Sequence, residues 1–216
     1  MKPRITAGIL CVFVSLGLIM AGCSGPFDTP PQTAGGKDKP KQQETVKKPG
    51  DYFPLTRGST WNYLGKGNEY ASFSREVTYE KGNLSQTRTE NGGTVGTAVF
   101  ETTDLAVTRV FFRGEEYDGK DYLDATPNDN TIILKEPLEA GTSWVDRSGA
   151  QREIVDVKAS VSTPAGNFKN CLRVKISNEH STIYEYYKEG VGMIKNEFIS
   201  GDNRVTSTLE KYSIGK

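Results

Sequence analysis

The chain has few cysteines and a single histidine, and these shortages exclude several kinds of chemistry. Of the three cysteines among its 216 residues, Cys11 and Cys23 lie near the N-terminus, which leaves Cys171 alone in the remainder. One cysteine cannot form an internal disulfide, and Cys171 with His180 is too small a ligand set for a structural zinc site. We therefore expect no metal and no cofactor, and a fold that depends on its apolar core.

The chain also lacks an excess of charge of either sign. It contains 27 basic and 27 acidic residues, and the acidic residues are the more numerous within residues 51–216. A neutral or mildly acidic protein has no basic surface field to attract a nucleic acid. The sequence therefore predicts no nucleic-acid partner.

The N-terminus has the layout of a secretory signal. Lys2 and Arg4 precede an uncharged run from Ile5 to Gly22, which ends in small residues before Cys23. A charged start, an apolar stretch and small residues at the end are typical of a cleaved signal peptide. The alternative is a transmembrane helix, for which the run is at the short limit. Residues 1–22 are predicted to be the signal peptide.

Residues Leu18–Cys23 resemble the bacterial lipobox, although Met20 stands where leucine is more usual. The resemblance implies diacylglycerol on the Cys23 sulfur, cleavage after Gly22, and N-acylation by a chain such as palmitate. Two or more acyl chains hold a protein firmly at a bilayer. The expected location is the cell envelope, lipid-anchored on the extracytoplasmic side of a bacterial membrane.

Residues 23–50 are predicted to form a lipidated, disordered tether. The segment after Cys23 is rich in proline, glycine and lysine, with Phe27 and Val46 as its large apolar residues. Such a composition buries too little surface to offset the entropy lost on folding. The tether is either a solvated spacer or a segment whose lysines also contact anionic lipid headgroups.

Residues 51–216 are predicted to be a single all-β antiparallel domain, either a curved sheet or barrel-like. Phe168–Ile176 and Glu153–Val161 both alternate apolar and other residues with a period of two, which is typical of strands. Thr163–Gly166 between them has proline and glycine where a turn prefers them, so the two strands should form a hairpin. Strict alternation places Leu172 on one face of the second strand and Cys171 on the other.

A short pattern occurs twice in the domain. Pro54–Trp61 and Pro137–Trp144 share a proline-leucine start, a glycine and a final tryptophan, and Thr97–Glu101 and Thr182–Glu185 follow at similar distances. The pattern indicates either a duplicated half-domain or one turn-and-strand solution used twice. In both cases we expect the two tryptophans to be core residues rather than ligand platforms.

Four segments carry a family resemblance: Tyr52–Leu55, Gly58–Tyr63, Thr163–Cys171 and Tyr187–Met193. Together they resemble a family of uncharacterised bacterial envelope lipoproteins, the group of TapB-type and related unknown-function domains. The resemblance covers most of residues 51–216 and implies a curved-sheet or lipocalin-like shell. It brings no catalytic residues.

Three candidate reactive groups have simpler structural explanations. The acidic stretch from Asp118 to Asn130 is rich in oxygen ligands, but it departs from a calcium-binding loop and matches ordinary Asx turns. Cys171 lies between lysine and arginine on a strand, and His180 lies in a predicted turn. Because a nucleophile needs a base beside it, the sequence predicts no enzyme.

Aromatic residues are the remaining signal for function. Tyr184, Tyr186 and Tyr187 lie on one predicted strand, where alternation turns Tyr187 away from the other two. Tyrosines either bind ligands or serve as ordinary strand residues. We expect a non-enzymatic binding or carrier module for an amphipathic small molecule, with these three as ligand-binding residues. The alternative is an assembly factor that docks another envelope protein.

Overall fold

A computed structural model describes residues 46–216, which form twelve strands in one antiparallel sheet. The strands are β1 (Thr60–Lys66), β2 (Phe73–Lys81), β3 (Leu84–Glu90), β4 (Val95–Thr102), β5 (Ala106–Gly114), β6 (Thr131–Lys135), β7 (Ser143–Val145), β8 (Gln151–Thr163), β9 (Gly166–Ser177), β10 (Thr182–Lys188), β11 (Gly192–Ser200) and β12 (Asn203–Ser213). The predicted all-β antiparallel class is confirmed. The signal peptide, Cys23 and residues 24–45 of the tether lie outside the described residues.

The strand order shows that the sheet is built from two consecutive meanders. The order is β6-β5-β4-β3-β2-β1-β12-β11-β10-β9-β8-β7. Within each half, β1–β6 and β7–β12, every strand pairs with the next strand in sequence, and one further pairing joins the two halves. At that join, β1 pairs with β12, which brings Thr60 opposite Ser213. The sheet is curved and not closed, because β6 and β7 are its two edges.

Each meander contains six strands and begins at one copy of the repeated pattern. Pro54–Trp61 leads into β1 and Pro137–Trp144 leads into β7. The second repeated pattern also falls on equivalent strands, since Thr97–Glu101 is in β4 and Thr182–Glu185 is in β10, the fourth strand of each meander. Because the topology repeats over six strands, it favours duplication over one turn used twice.

Both tryptophans are core residues, as the sequence predicts. Trp61 is 3% exposed and Trp144 is 7% exposed. The Trp61 indole donates to the Val191 carbonyl at 2.6 Å, and the Trp144 indole donates to the Ile132 carbonyl at 3.1 Å. Because Ile132 lies in β6 and Trp144 in β7, the second bond bridges the two edges of the open sheet.

The predicted hairpin is confirmed as β8 and β9, which are joined through Thr163 opposite Gly166. Strict alternation along β8 is wrong, however, because the register shifts three times between Ile154 and Val161. Each shift adds an unpaired residue and reverses which face the following residues occupy. In β9, Cys171 and Leu172 are both buried, although strict alternation predicts them on opposite faces.

The apolar residues form a large core and a smaller satellite cluster. The large core includes Trp61, Phe100 and Tyr187 from both meanders. The satellite cluster contains Val99 and Phe111 from the opposite face of the sheet. Leu123 covers this second cluster, so the acidic segment between β5 and β6 packs over the convex face.

The chain contacts the sheet before the predicted domain start at Asp51. A short 3₁₀-helix spans Pro49–Tyr52. Lys47 pairs with Glu189, and the Lys48 ammonium lies 2.7 Å from an Asp104 carboxylate oxygen. The boundary itself stays a prediction. Across residues 46–216, no helix has the length and apolar character needed to cross a membrane.

Candidate functional site

The concave face of the sheet encloses a cavity of about 240 Å³, here called the interior cavity. The first meander contributes Arg75, Phe100 and Arg109, and the second contributes Arg152, Glu185 and Tyr187. These residues meet because the curvature of the sheet brings β2, β4 and β5 opposite β8 and β10. The interior cavity therefore exists only when both meanders are folded.

A second cavity of about 300 Å³, here called the aromatic groove, adjoins the first. The two cavities share Arg75, Phe100 and Arg109. Phe73 and Phe112 add further rings to the groove, and it has no carboxylate among its lining residues. Small-molecule sites are usually roughly 300–1,000 Å³ and are mostly apolar with a few polar groups. Together, the two cavities have that size and character.

Arg152 lies in the interior cavity beside two carboxylates. Its guanidinium is 3.2 Å from Asp146 and 3.3 Å from Glu185, and the Tyr187 hydroxyl donates to Glu185 at 2.6 Å. Burial alone would lower the pKa of Arg152, but the charges of Glu185, Tyr187 and Asp146 and the hydrogen bond to Asp146 together outweigh burial, and the pKa is raised. Arg152 is therefore a neutralised, structural cation.

Arg109 has one carboxylate partner, which it contacts through its Nε atom. Its Nε donates to Asp129 at 2.6 Å, and Asp129 also accepts a bond from the Thr131 hydroxyl at 2.7 Å. Burial alone would raise the pKa of Asp129, but these two bonds, the charge of Arg109 and a backbone hydrogen bond from Asn130 together outweigh burial, and the pKa is lowered. The Arg109 guanidinium also lies 5.1 Å from the centre of the Phe112 ring. Its position between β6 and the aromatic groove is thereby set.

Arg75 differs from both because it faces aromatic rings rather than acids. Its guanidinium lies 6.0 Å from the Phe53 ring centre and 5.8 Å from that of Phe73. Its Nε makes a long contact of 3.4 Å to the Thr89 hydroxyl. Among residues 46–216, no carboxylate lies within ion-pair distance of Arg75.

Two tyrosines are buried in the large core, and one of them, Tyr187, also lines the interior cavity. Burial raises the pKa of Tyr63, whose hydroxyl donates to the Met193 carbonyl at 2.8 Å. Burial, followed by the charge of Glu185, raises the pKa of Tyr187 well above its ordinary value. Both phenols therefore stay neutral at physiological pH and act as hydrogen-bond donors.

No protein-family model matches the chain, and no curated protein matches it. Two solved structures are similar to it. One is a candidate exported protein with a YmcC-like fold from Bacteroides fragilis, at 15% identity and a TM-score of 0.45. The other is a candidate lipoprotein from Parabacteroides distasonis, at 18% identity and a TM-score of 0.47. Each match covers 75% of this chain and 98% of the other. At these values neither likeness transfers a function, and the TapB-type resemblance stays a prediction.

The three tyrosines predicted to bind a ligand are placed on two faces of β10. Tyr187 is 1% exposed and lines the interior cavity. Tyr184 and Tyr186 lie on the convex face, where the Arg173 guanidinium is 4.0 Å and 5.6 Å from their ring centres. The structure therefore brings only Tyr187 to the cavity, and the ligand-binding role of all three stays a prediction.

The other candidate reactive residues lie in different environments. Cys171 is fully buried, and burial raises the pKa of its thiol. The His180 side chain is 84% exposed and lies 3.5 Å from Glu179. In the acidic segment, Asp124 pairs with Lys81 and Asp118 pairs with Lys120. Within residues 46–216, no three potential metal ligands come together.

The sequence analysis did not predict the arginines of the cavity, although the residue pattern of β2 indicates one of them. Phe73, Arg75 and Val77 share one face of β2, and Val77 is a fully buried core residue. An arginine in register with core residues must lie in the interior, where a charge needs a partner. This combination indicates a site, whereas the tyrosines were chosen on residue type alone.

Proposed function

We propose that the chain is a bacterial envelope lipoprotein, anchored through Cys23, that binds an amphipathic small molecule without catalysing a reaction. The observation that carries the proposal is the joined pair of cavities, in which aromatic rings and guanidinium groups line one concave surface. An amphipathic molecule needs both kinds of contact. The anchoring part of the proposal is supported by the lipobox-like residues before Cys23.

The aromatic groove supplies the apolar contact. Phe73, Phe100 and Phe112 present rings from β2, β4 and β5, and Gly96 leaves room beside Phe112, whose ring a Cβ there would meet at 3.4 Å. Removing apolar ligand surface from water contributes about 25 cal/mol per Å². A short hydrocarbon chain or ring laid on these side chains is stabilised in this way.

The polar groups then orient the ligand. Thr87 and Thr89 lie on β3 facing the groove, and Arg75 and Arg109 lie where it meets the interior cavity. A few fixed polar groups at one end of an apolar surface select a molecule with one polar end. This arrangement suits binding or carriage.

Filling the groove tests the proposal. Thr89→Phe adds a ring inside the aromatic groove, whereas Thr108→Phe adds the same ring to the opposite face of β5, outside both cavities. The full chain is purified from its own host membranes and examined by native mass spectrometry. We expect a bound small molecule with the wild type and with Thr108→Phe, and its loss with Thr89→Phe.

Two results would contradict the proposal. One is a bare wild-type protein after gentle extraction, and the other is equal retention of the small molecule by both variants. A co-purifying protein in place of a small molecule would favour the assembly-factor alternative.

A further inference from the structure

Each meander has an arginine on its second strand, opposite the tryptophan of its first strand. In the first meander, Arg75 of β2 is paired across the ladder with Trp61 of β1. In the second, Arg152 of β8 is paired across the ladder with Trp144 of β7. Both arginines lie on the second strand of their meander and both line the interior cavity.

The two arginines differ in their partners. Arg152 has carboxylates at 3.2 Å and 3.3 Å, from Asp146 and Glu185. Arg75 has neither, and its terminal nitrogens have no hydrogen-bond acceptor within residues 46–216. Arg75 is only partly buried and its terminal nitrogens stay accessible to water, so an anion that enters the cavity can replace that water.

One residue on the fourth strand accounts for much of this difference. Glu185 of β10, which pairs with Arg152, lies opposite Val174 of β9, and Val174 lies opposite Ile154, two residues beyond Arg152. In the first meander the same register leads from Val77, two residues beyond Arg75, through Thr87 of β3 to Ala98 of β4. The first meander therefore has a small apolar residue, Ala98, where the second has the anion that neutralises its arginine.

The surroundings of Arg75 suit an anion supplied from outside. Its guanidinium lies near the rings of Phe53 and Phe73, which leaves its outer N–H groups available. The planar fork of arginine binds a carboxylate, phosphate or sulfonate through two parallel hydrogen bonds. Arg109 shares both cavities with Arg75 and binds Asp129 through Nε, so its terminal nitrogens add to the positive charge there.

We infer that the ligand is an amphipathic acid, whose anionic group binds Arg75 and Arg109 and whose apolar part lies along Phe73, Phe100 and Phe112. This inference rests on the proposed function and names the chemical class of its ligand. The anion of the ligand pairs with Arg75 as Glu185 pairs with Arg152.

Three probes with the same eight-carbon tail and different head groups separate the contribution of the head group to affinity from that of the tail. These are octanesulfonate, octyltrimethylammonium and octyl glucoside, each used below its micelle concentration. The full chain in nanodiscs is titrated by calorimetry, with empty nanodiscs subtracted. A hydrogen-bonded charge pair corresponds to roughly tenfold to hundredfold in affinity. We expect octanesulfonate to bind more tightly than octyl glucoside by that factor, and octyltrimethylammonium to bind most weakly.

Two variants and a control locate the effect. Arg75→Gln should remove the preference for octanesulfonate over octyl glucoside. Ala98→Glu should also remove it, because the new carboxylate would have the register that Glu185 has relative to Arg152 and would pair with Arg75. Arg88→Gln is the matched control, since Arg88 lies on the convex face of β3 and pairs with Glu90 at 2.7 Å.

The outcomes distinguish the two proposals. Equal affinity for octanesulfonate and octyl glucoside, or an unchanged preference in Arg75→Gln, would overturn the inference and leave the proposed function intact. A preference that disappears equally in Arg88→Gln would also overturn it. If none of the three probes binds the wild type, the proposed function itself fails.

Discussion

Asp146 illustrates how single side chains set the electrostatics of the interior. Burial alone would raise the pKa of its carboxyl, but hydrogen bonds from Ser148 and Arg152 outweigh burial and lower the pKa below its ordinary value of 3.8. The ionised form is therefore more favourable in the folded chain than in the unfolded one. Such a carboxylate stabilises the fold above its unfolded pKa, and the stabilisation is lost as pH falls through the folded pKa.

We expect Asp146→Asn to lower the free energy of unfolding at pH 7 by roughly 1–3 kcal/mol, because it removes the charge that pairs with buried Arg152. The difference from wild type should shrink as pH falls below the ordinary pKa of 3.8 and should disappear once pH has fallen through the lowered pKa of the folded wild type. Urea unfolding between pH 7 and pH 3 measures this. Asp202→Asn, in an exposed turn, is the control. A difference that stays constant over the whole range would show that the Asp146 charge is not responsible.

At this scale the sequence predicted burial better than it predicted the site. Trp61 and Trp144 are buried as expected, because large apolar side chains are buried in almost any fold. Tyr184 and Tyr186 were expected at the binding surface and lie on the convex face against Arg173. Which polar residues line a cavity together with Arg75 depends on strands distant in sequence. Residue type alone does not predict that arrangement.

The hairpin of β8 and β9 shows what alternation predicts at the scale of an element. The pattern correctly located both strands and the turn at Thr163–Gly166, because turn preference and period-two patterning are local properties. It did not locate the register shifts between Ile154 and Val161. A bulge is set by how a strand bends to follow the sheet, which the strand's own residues do not specify.

Leu172→Ala tests the core face of this hairpin. Leu172 is 1% exposed in the core, so truncation should lower the free energy of unfolding by roughly 2–5 kcal/mol. Lys175→Ala on the other face of β9 should change it by less than about 0.5 kcal/mol. Denaturant unfolding of both variants gives the comparison. Similar losses would mean that β9 is buried on both faces along its whole length.

At the scale of the whole molecule, the pairing of β1 with β12 joins the two meanders into one sheet. The opposite ends of the sheet approach each other at β6 and β7, where the Trp144 indole bonds to Ile132. This curvature creates the interior cavity, because it brings Arg75 and Arg152 to a common space. The proposed binding function is therefore a property of the complete sheet.

The proposed anchoring also concerns the whole molecule and depends on one residue. Cys23→Ala should accumulate as an uncleaved precursor without lipid, because the signal would lack the sulfur that carries diacylglycerol. Cys11→Ala, within the predicted signal, should be processed like the wild type. Intact-mass spectrometry and detergent phase partitioning measure both properties. If Cys23→Ala is cleaved and partitions like the wild type, the lipoprotein prediction is wrong.

The amino-acid sequence by itself determined the all-β class, the hairpin between β8 and β9, the burial of both tryptophans and the repeated pattern that begins each meander. These follow from local periodicity, turn residues and side-chain size, which act over a few neighbouring residues. The sequence did not predict that Arg75 and Arg109 face a shared cavity, nor that Arg75 lacks a carboxylate partner among residues 46–216. Those facts depend on pairing between strands far apart in the chain and on the curvature of the sheet, which arise only when the whole sheet assembles.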